Sequence, residues 1–268
     1  MSDPSSECVI IGSGRSLLDL TGAEKDYLNR HPHTLALNKY LLYHDKVGVV
    51  PKFMFLADRH YPAHRVIVDS VEIARRLPTR PRFYLNVYYK WFFRFKPRIR
   101  SVRWALQQRQ TIYQERQDWI PLFLSYWKLS FFHSEPERND RPFFWASRLK
   151  EELFFFRGSL TTAINLAHVI FPGKTIKLLG VDLDSEKSFF AEEAARVPKY
   201  YDDTNDPVAQ KAGQHLTAIP LCGFKPIQSI IPRIMEHLAS VGVQLVCSNP
   251  TSLLCQEGIC PYRPVIDS

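Results

Sequence analysis

CVIIGSGRSLLDL, Cys8 to Leu20, decides the fold. Its first four residues are a short, apolar, β-branched run, which reads as a buried strand rather than a helix. Gly12-Ser13-Gly14 demands a tight turn, and Ser16 stands where it would cap a following helix. Strand, glycine-rich turn and helix start together form an anion-binding corner, because backbone N–H groups point outward there. The dinucleotide fingerprint G-x-G-x-x-G fails, since Leu17 occupies the place of the third glycine. Two readings remain from this stretch: a βα turn that approaches a nucleotide, or a tight turn with no ligand.

The same grammar repeats outward from that corner. His33 to Leu37 is a second apolar strand ending at Asn38, and Phe53 to Leu56 a third, running into Ala57-Asp58. A helix is predicted from Ala63 to Arg76 and a fourth strand near Phe83 to Val87. Beyond an aromatic, basic middle, with helical spacing in Val102 to Gln117, Gly158 to Phe171 reads as a helix. The strand Thr175 to Leu179 follows and closes at Gly180-Val181-Asp182. Ser185 to Phe224 has no strong period and reads as a mobile excursion. A helix from about Ile227 to Val241 then leads into the strand Val243 to Cys247. Strands alternating with helices predict an α/β fold with a Rossmann-like, mostly parallel sheet flanked by helices. The 268 residues fit one such domain, with an insertion at about 88–156 and a lid at about 185–224.

Apolar residues make up 45% of the chain, enough to fill a core and to exclude wholesale disorder. MSDPSSE has neither a basic start nor an apolar run, so no signal peptide is expected, and no stretch suits a spanning helix. Five cysteines without a C-x-x-C pair read as free thiols of a cytoplasmic protein, with no zinc site. The net charge of +8 is uneven: twelve Lys or Arg and one acid, Glu115, lie between Arg75 and Arg116. Ten aromatics are interleaved there, Tyr88, Trp91, Phe92 and Trp104 among them. Cations beside rings suit an anionic membrane surface, and a peripheral position at the inner membrane is expected. Single-stranded nucleic acid ranks below that, and a solvated charged face over core aromatics is the plain alternative.

In a parallel sheet, ligands bind beyond the carboxyl ends of the strands. That rule gathers Gly12, Ser13, Gly14, Ser16, Asn38, Asp58, Gly180, Asp182 and Ser248-Asn249 on one edge. Asn38 and Ser13 can donate to and accept from a base or ribose. Arg157, with Gly158 and Ser159 at a helix start, suits a phosphate or carboxylate. His215, on a polar loop with an ordinary pKa near neutrality, is the candidate general base.

Assembled in this way, the chain resembles the small bacterial sialyltransferases that decorate lipooligosaccharide. Their G-N-G-P-S-L turn corresponds to Gly12-Ser13-Gly14-Arg15-Ser16-Leu17, and their nucleotide-contacting Asn to Asn38. Their R-I-T-S-G helix start corresponds to Arg157-Gly158-Ser159-Leu160-Thr161, their G-I-D to Gly180-Val181-Asp182. Their C-x-x-P-N-S-L-L is mirrored by Cys247 to Leu254. The resemblance implies transfer of sialic acid or a related acidic sugar from a CMP-sugar to a glycan or lipid-linked acceptor, inverting, with no cofactor and no metal. It implies that Thr161 and Asp184 also line the nucleotide and that His215 is the base. The family's two phosphate-holding tyrosines fall at Asp184 and Phe190, which leaves Tyr200 and Tyr201 as the candidate phenols of that loop. A homo-oligomer is compatible with this reading. A related group with the G-x-G-x-S-L opening includes flagellin-glycosylation factors and a pterin pyrophosphokinase. That alternative implies a Mg²⁺-dependent phosphotransferase with Asp58, Asp182 and Asp184 as ligands; a non-catalytic nucleotide-binding relative is a third reading.

Overall fold

A computed structural model describes residues 6–57, 63–86, 129–134, 142–184, 188–196, 214–220 and 223–266. Its centre is a seven-stranded, all-parallel sheet in the order β5-β4-β3-β2-β1-β6-β7. The strands are β1 (Glu7–Ile11), β2 (Thr34–Leu37), β3 (Phe53–Leu56), β4 (Arg82–Asn86), β5 (Leu129–Phe132), β6 (Thr175–Leu179) and β7 (Leu245–Cys247). The helices are α1 (Gly22–Arg30), α2 (His44–Val47), α3 (Ala63–Arg76), α4 (Ser159–Ile170), α5 (Ala191–Arg196), α6 (Ile231–Ser240) and α7 (Leu253–Gln256). The α/β Rossmann-like expectation holds.

Every residue of β1 is buried, as a central parallel strand covered on both faces requires. Alternation divides the core. Cys8 and Ile10 join Leu35, Phe55, Leu178 and the inner faces of α4 and α6, while Val9 and Ile11 join Ala36, Met54 and Leu56 on the other side. Strand order steps from β1 leftward through β2 to β5, then restarts on the right with β6. The reversal between β1 and β6 is the topological switch point, where a crevice opens beyond the strand ends.

Four sequence expectations need correction. Ser16 caps no helix; the cap of α1 is Thr21, which forms a reciprocal capping box with Glu24. The middle segment is not purely an insertion, because it supplies the edge strand β5. Its later part, 142–156, is stapled to α4 by buried Asn165, which accepts from the amides of Ala146 and Phe154 and donates to the Ala146 carbonyl. Phe132, Leu153 and Phe154 are core; the interleaved aromatics from Tyr88 to Trp104 and the helical stretch Val102 to Gln117 lie outside the described residues. Third, part of the expected lid is docked: Phe189 and Phe190 are buried, and Phe190 stacks on Tyr43 at 4.6 Å. Lys46 pairs with Glu193 of α5. A six-residue helix is too short to leave a legible period. Finally, the helix expected from Ile227 is a 3-10 turn, Ile227–Ser229, followed by α6.

Cys8, Cys247, Cys255 and Cys260 are free thiols, as expected, while Cys222 lies outside the described residues. No helix among the described residues is long and apolar enough to cross a membrane.

Far from the switch point, buried His31 packs beside His33. Burial above all, then the charges of His33, Lys177 and Lys174, lowers its pKa to about 4. An unfolded histidine titrates near 6.5, so between about pH 6.5 and 4 the unfolded chain binds the extra proton. Stability is therefore full above that window and falls as the pH drops through it, by about 3 kcal/mol at most from this group. His31→Asn keeps an acceptor for the His33 amide, which His31 Nδ1 now accepts at 3.1 Å. Urea unfolding at pH 7, 6 and 5 should show a shallower acid loss in that variant; equal slopes would remove His31 as the cause.

Candidate functional site

The glycine pair has a definite steric purpose. Gly12 N–H donates to the Leu179 carbonyl (2.8 Å) and Gly14 N–H to the Gly180 carbonyl (2.7 Å), so the β1 turn lies flat against the β6 turn. A Cβ on Gly12 would come within 2.3 Å of the Gly180 oxygen, and one on Gly14 within 2.3 Å of the Asp182 carboxylate. Gly180 itself has φ +65°, its α-carbon facing Leu17. The glycines serve close approach between two parts of the chain, which the sequence alone left open.

The anion-binding corner is filled from within. Asp182 Oδ2 accepts from the Ser16 amide (2.9 Å), while Oδ1 accepts from Ser16 Oγ (2.6 Å) and Asn249 Nδ2 (2.8 Å). The carboxylate thus takes the place a phosphate would occupy at this turn. Ser16, Asp182 and Asn249 stitch β1, β6 and β7 together across the switch point. Ser252 Oγ, donating to the Val181 carbonyl, and the Leu253 amide, donating to the Asp182 carbonyl, extend the stitch to α7. Asp182→Asn would set an amide NH₂ against a donor on one side or the other. We expect a loss of about 1–3 kcal/mol in urea unfolding, as for a buried donor left unsatisfied; an unchanged midpoint would mean the stitch carries no stability.

With that corner closed, the open chemistry lies across the crevice at the start of α4. Asn38 adopts φ +45°, its Oδ1 accepting from the Ala57 amide (3.2 Å) and its Nδ2 donating to Ser159 Oγ (2.8 Å). It ties the ends of β2 and β3 to the helix start. Gly158, at φ +111°, is the N-cap, with no side chain capping the first turn of α4. Arg157 before it has φ +51° and donates through Nη2 to the carbonyls of Leu216 (2.8 Å) and Ile219 (2.6 Å). Those bonds hold the 3-10 turn Leu216–Ala218 over the crevice, with Thr217 against the α-carbon of Gly158.

His215 begins that turn. Its amide donates to the Leu183 carbonyl (3.2 Å), and Nδ1 lies 3.3 Å from the Thr217 amide and 2.8 Å from Thr217 Oγ1. In the tautomer with Nδ1–H donated to Thr217 Oγ1, Nε2 carries the lone pair a base needs. With Nδ1 instead accepting the amide, Nε2 carries the proton of a neutral ring and can only donate. Thr217 thus offers Nδ1 both an amide donor and a hydroxyl, and no pattern in the sequence marks it. Leu183, which accepts the His215 amide, is buried at φ +63°. Asn38, Arg157 and Leu183 are the three non-glycine residues with positive φ among those described, and all three border this crevice. Strained backbone of this kind costs about 1–3 kcal/mol per residue and gathers at functional sites.

The remaining sequence candidates divide. Ser13 uses its carbonyl to accept the Phe189 amide (2.9 Å). Thr161 is buried, its hydroxyl bonded to both the amide and the carbonyl of Phe156, so it shapes the helix entry rather than offering a ligand contact. Asp184 is exposed; partial desolvation first, then the charge of Asp182, raises its carboxyl above the usual range. Phe190 belongs to the core and is no stand-in for a phosphate-holding phenol. Asp58, Tyr200 and Tyr201 lie outside the described residues. Of the three acids of the magnesium reading, Asp182 has both oxygens committed to Ser16 and Asn249, and Asp58 lies outside the described residues. Comparison with protein-family models, curated proteins and solved structures returns no match for this chain.

Proposed function

We propose that this chain is a metal-independent glycosyltransferase that moves sialic acid or a related acidic sugar from a CMP-sugar to a glycan hydroxyl, inverting the anomeric centre, in lipooligosaccharide or capsule synthesis. One observation carries the reading: a side-chain-uncapped helix start, preceded by Arg157 and tied to Asn38, borders the switch-point crevice together with a histidine. Such a helix end attracts a single phosphate, and Arg157 adds a fixed cation for the charge that grows on the departing CMP. His215, in the tautomer with Nδ1–H donated to Thr217 Oγ1, accepts at Nε2 the proton of the acceptor hydroxyl as its oxygen bonds to the anomeric carbon and the phosphate oxygen leaves. Asn38 is an amide suited to base or ribose. The basic aromatic segment would hold the enzyme at a membrane, where lipid-linked glycans are made.

The test is thermal unfolding with CMP and with ATP, each with and without Mg²⁺. At a hundred times its dissociation constant a ligand adds about 2.7 kcal/mol. Stabilisation by CMP without metal supports the transferase; stabilisation by ATP with Mg²⁺ alone replaces it with the phosphotransferase; silence from both overturns the proposal.

A further inference from the structure

The turns at the edge of the sheet opposite the crevice are basic. Helices in this fold run back against the strands, so their last turns gather at the amino ends of the strands. Four of the turns there, 30–34, 48–52, 77–82 and 171–174, lead into β2, β3, β4 and β6. They hold Arg30, Lys52, Arg80, Arg82 and Lys174, and no aspartate or glutamate. The turn into β7, 241–244, has no Asp, Glu, Lys or Arg, and the lead-in to β5 lies outside the described residues.

These turns are neighbours in space. The Arg82 amide donates to the Lys52 carbonyl at 2.9 Å, and Lys52 Nζ donates to the Asn29 carbonyl at 2.8 Å, beside Arg30. His33 packs on Phe171 at 4.9 Å, which sets the Lys174 turn alongside the start of β2. From β4 to β6, with β1 between, the row spans about 20 Å at the usual strand spacing. Arg30, Arg80 and Arg82 are exposed, as is Arg75 in the last turn of α3. Glu7 at the start of β1 is buried against Lys177, and Glu72 in α3 pairs with Arg76. Arg30 and Arg75 also complement the dipoles of the helices they end; Arg80, Arg82 and Lys174 lie beyond those helix ends.

A straight row of long cations along strand ends suits an extended anionic surface, whereas a discrete ligand needs converging groups. All four basic turns contain proline, which removes backbone N–H donors that a fixed phosphate site would use. Single-stranded nucleic acid needs exposed rings for stacking, and the one Phe, Tyr or Trp in these turns, Phe171, is buried. We propose that this basic edge docks on an anionic lipid bilayer, with the crevice facing away from the headgroups. The proposal does not rest on the CMP-sugar reading, which concerns the other edge of the sheet, and vesicle binding and CMP binding fail separately.

The test is co-sedimentation of the full chain with vesicles of equal parts phosphatidylglycerol and phosphatidylcholine, against phosphatidylcholine alone. We expect saturable binding to the anionic vesicles only, weakening as salt is added. Arg75→Gln, Arg80→Gln and Arg82→Gln together should weaken it at least about tenfold, since each cation near such a surface is worth about fivefold. Arg148→Gln, Lys150→Gln and Lys225→Gln remove the same charge from exposed positions ahead of α4 and α6, and should keep the parent's binding. Indifference to lipid charge, undiminished binding by the first triple variant, or an equal loss in the second would each overturn the proposal. Tighter binding of an oligonucleotide than of vesicles at equal phosphate, lost in the first variant, would assign the edge to nucleic acid and overturn it as well. If circular dichroism finds that variant unfolded, Arg80→Gln alone decides, with an expected loss of about fivefold.

Discussion

Replacing Lys177 by Met is expected to lower the unfolding free energy by about 3–5 kcal/mol. Lys177 is fully buried in β6, with Nζ 3.0 Å from Glu7 Oε2 and donating to the carbonyls of Pro264 (3.0 Å) and Val265 (3.3 Å). Glu7, 1% exposed in β1, then keeps a buried negative charge beside, among the described residues, the Tyr27 hydroxyl at 3.5 Å and Arg263 at 3.6 Å. The two tail carbonyls lose a donor as well. Because a single substitution strands the partner charge, the loss is large; removing both charges is far milder. Glu7→Leu combined with Lys177→Met should therefore recover much of the loss, short of full recovery because the tail carbonyls stay unpaired. Urea midpoints of the single and double variants check this, and a double variant as weak as the single one would show that the pair is not what the site depends on.

Gly12→Ala is the second large effect, at about 3 kcal/mol or more. The new methyl would meet the Gly180 oxygen at 2.3 Å, the Gly180 carbonyl carbon at 3.0 Å and Val181 Cγ2 at 3.1 Å. Two of these are backbone atoms just past the strand paired with β1, so relief means parting the two turns at the switch point. For a chain of this size that loss corresponds to a melting point lower by roughly 6–12 °C. Gly22→Ala is the control: nothing lies within 4 Å of its added methyl, at the start of α1. It should stay within about 1 kcal/mol of the parent, on the stabilising side. Equal effects at the two positions would contradict the steric account of the glycine pair.

The sheet was legible because its strands are apolar runs bounded by glycine, proline or aspartate, and β3 and β6 were placed to the residue. β5 was not, since Leu129 to Phe132 sits inside an aromatic stretch with no contrasting turn signal. Thr21-x-x-Glu24 was a readable capping box, overshadowed by Ser16 beside the glycine turn. At the site, the rule of strand ends brought Gly12, Ser16, Asn38, Asp182 and Asn249 to one edge. It could not say that Asp182 turns inward onto Ser16 and Asn249, because a strand-end aspartate looks the same whether it faces a ligand or its own chain. Left-handed Arg157 and Leu183 were equally hidden, as neither residue type marks that conformation. The roles of Arg157 and His215 depend on a turn at 216–218 whose contacts are long-range and leave no local pattern.

With the glycine corner closed by Asp182, the proposed nucleotide phosphate would meet the chain at the start of α4. The most direct measurement is amide NMR of the labelled protein during a CMP titration. Saturable shifts are expected at the amides of Ser159, Leu160 and Thr161, with Gly14 and Ser16 unmoved. Shifts centred on Gly12 to Ser16 with α4 silent would contradict the claim, returning the phosphate to the corner and requiring Asp182 to be displaced.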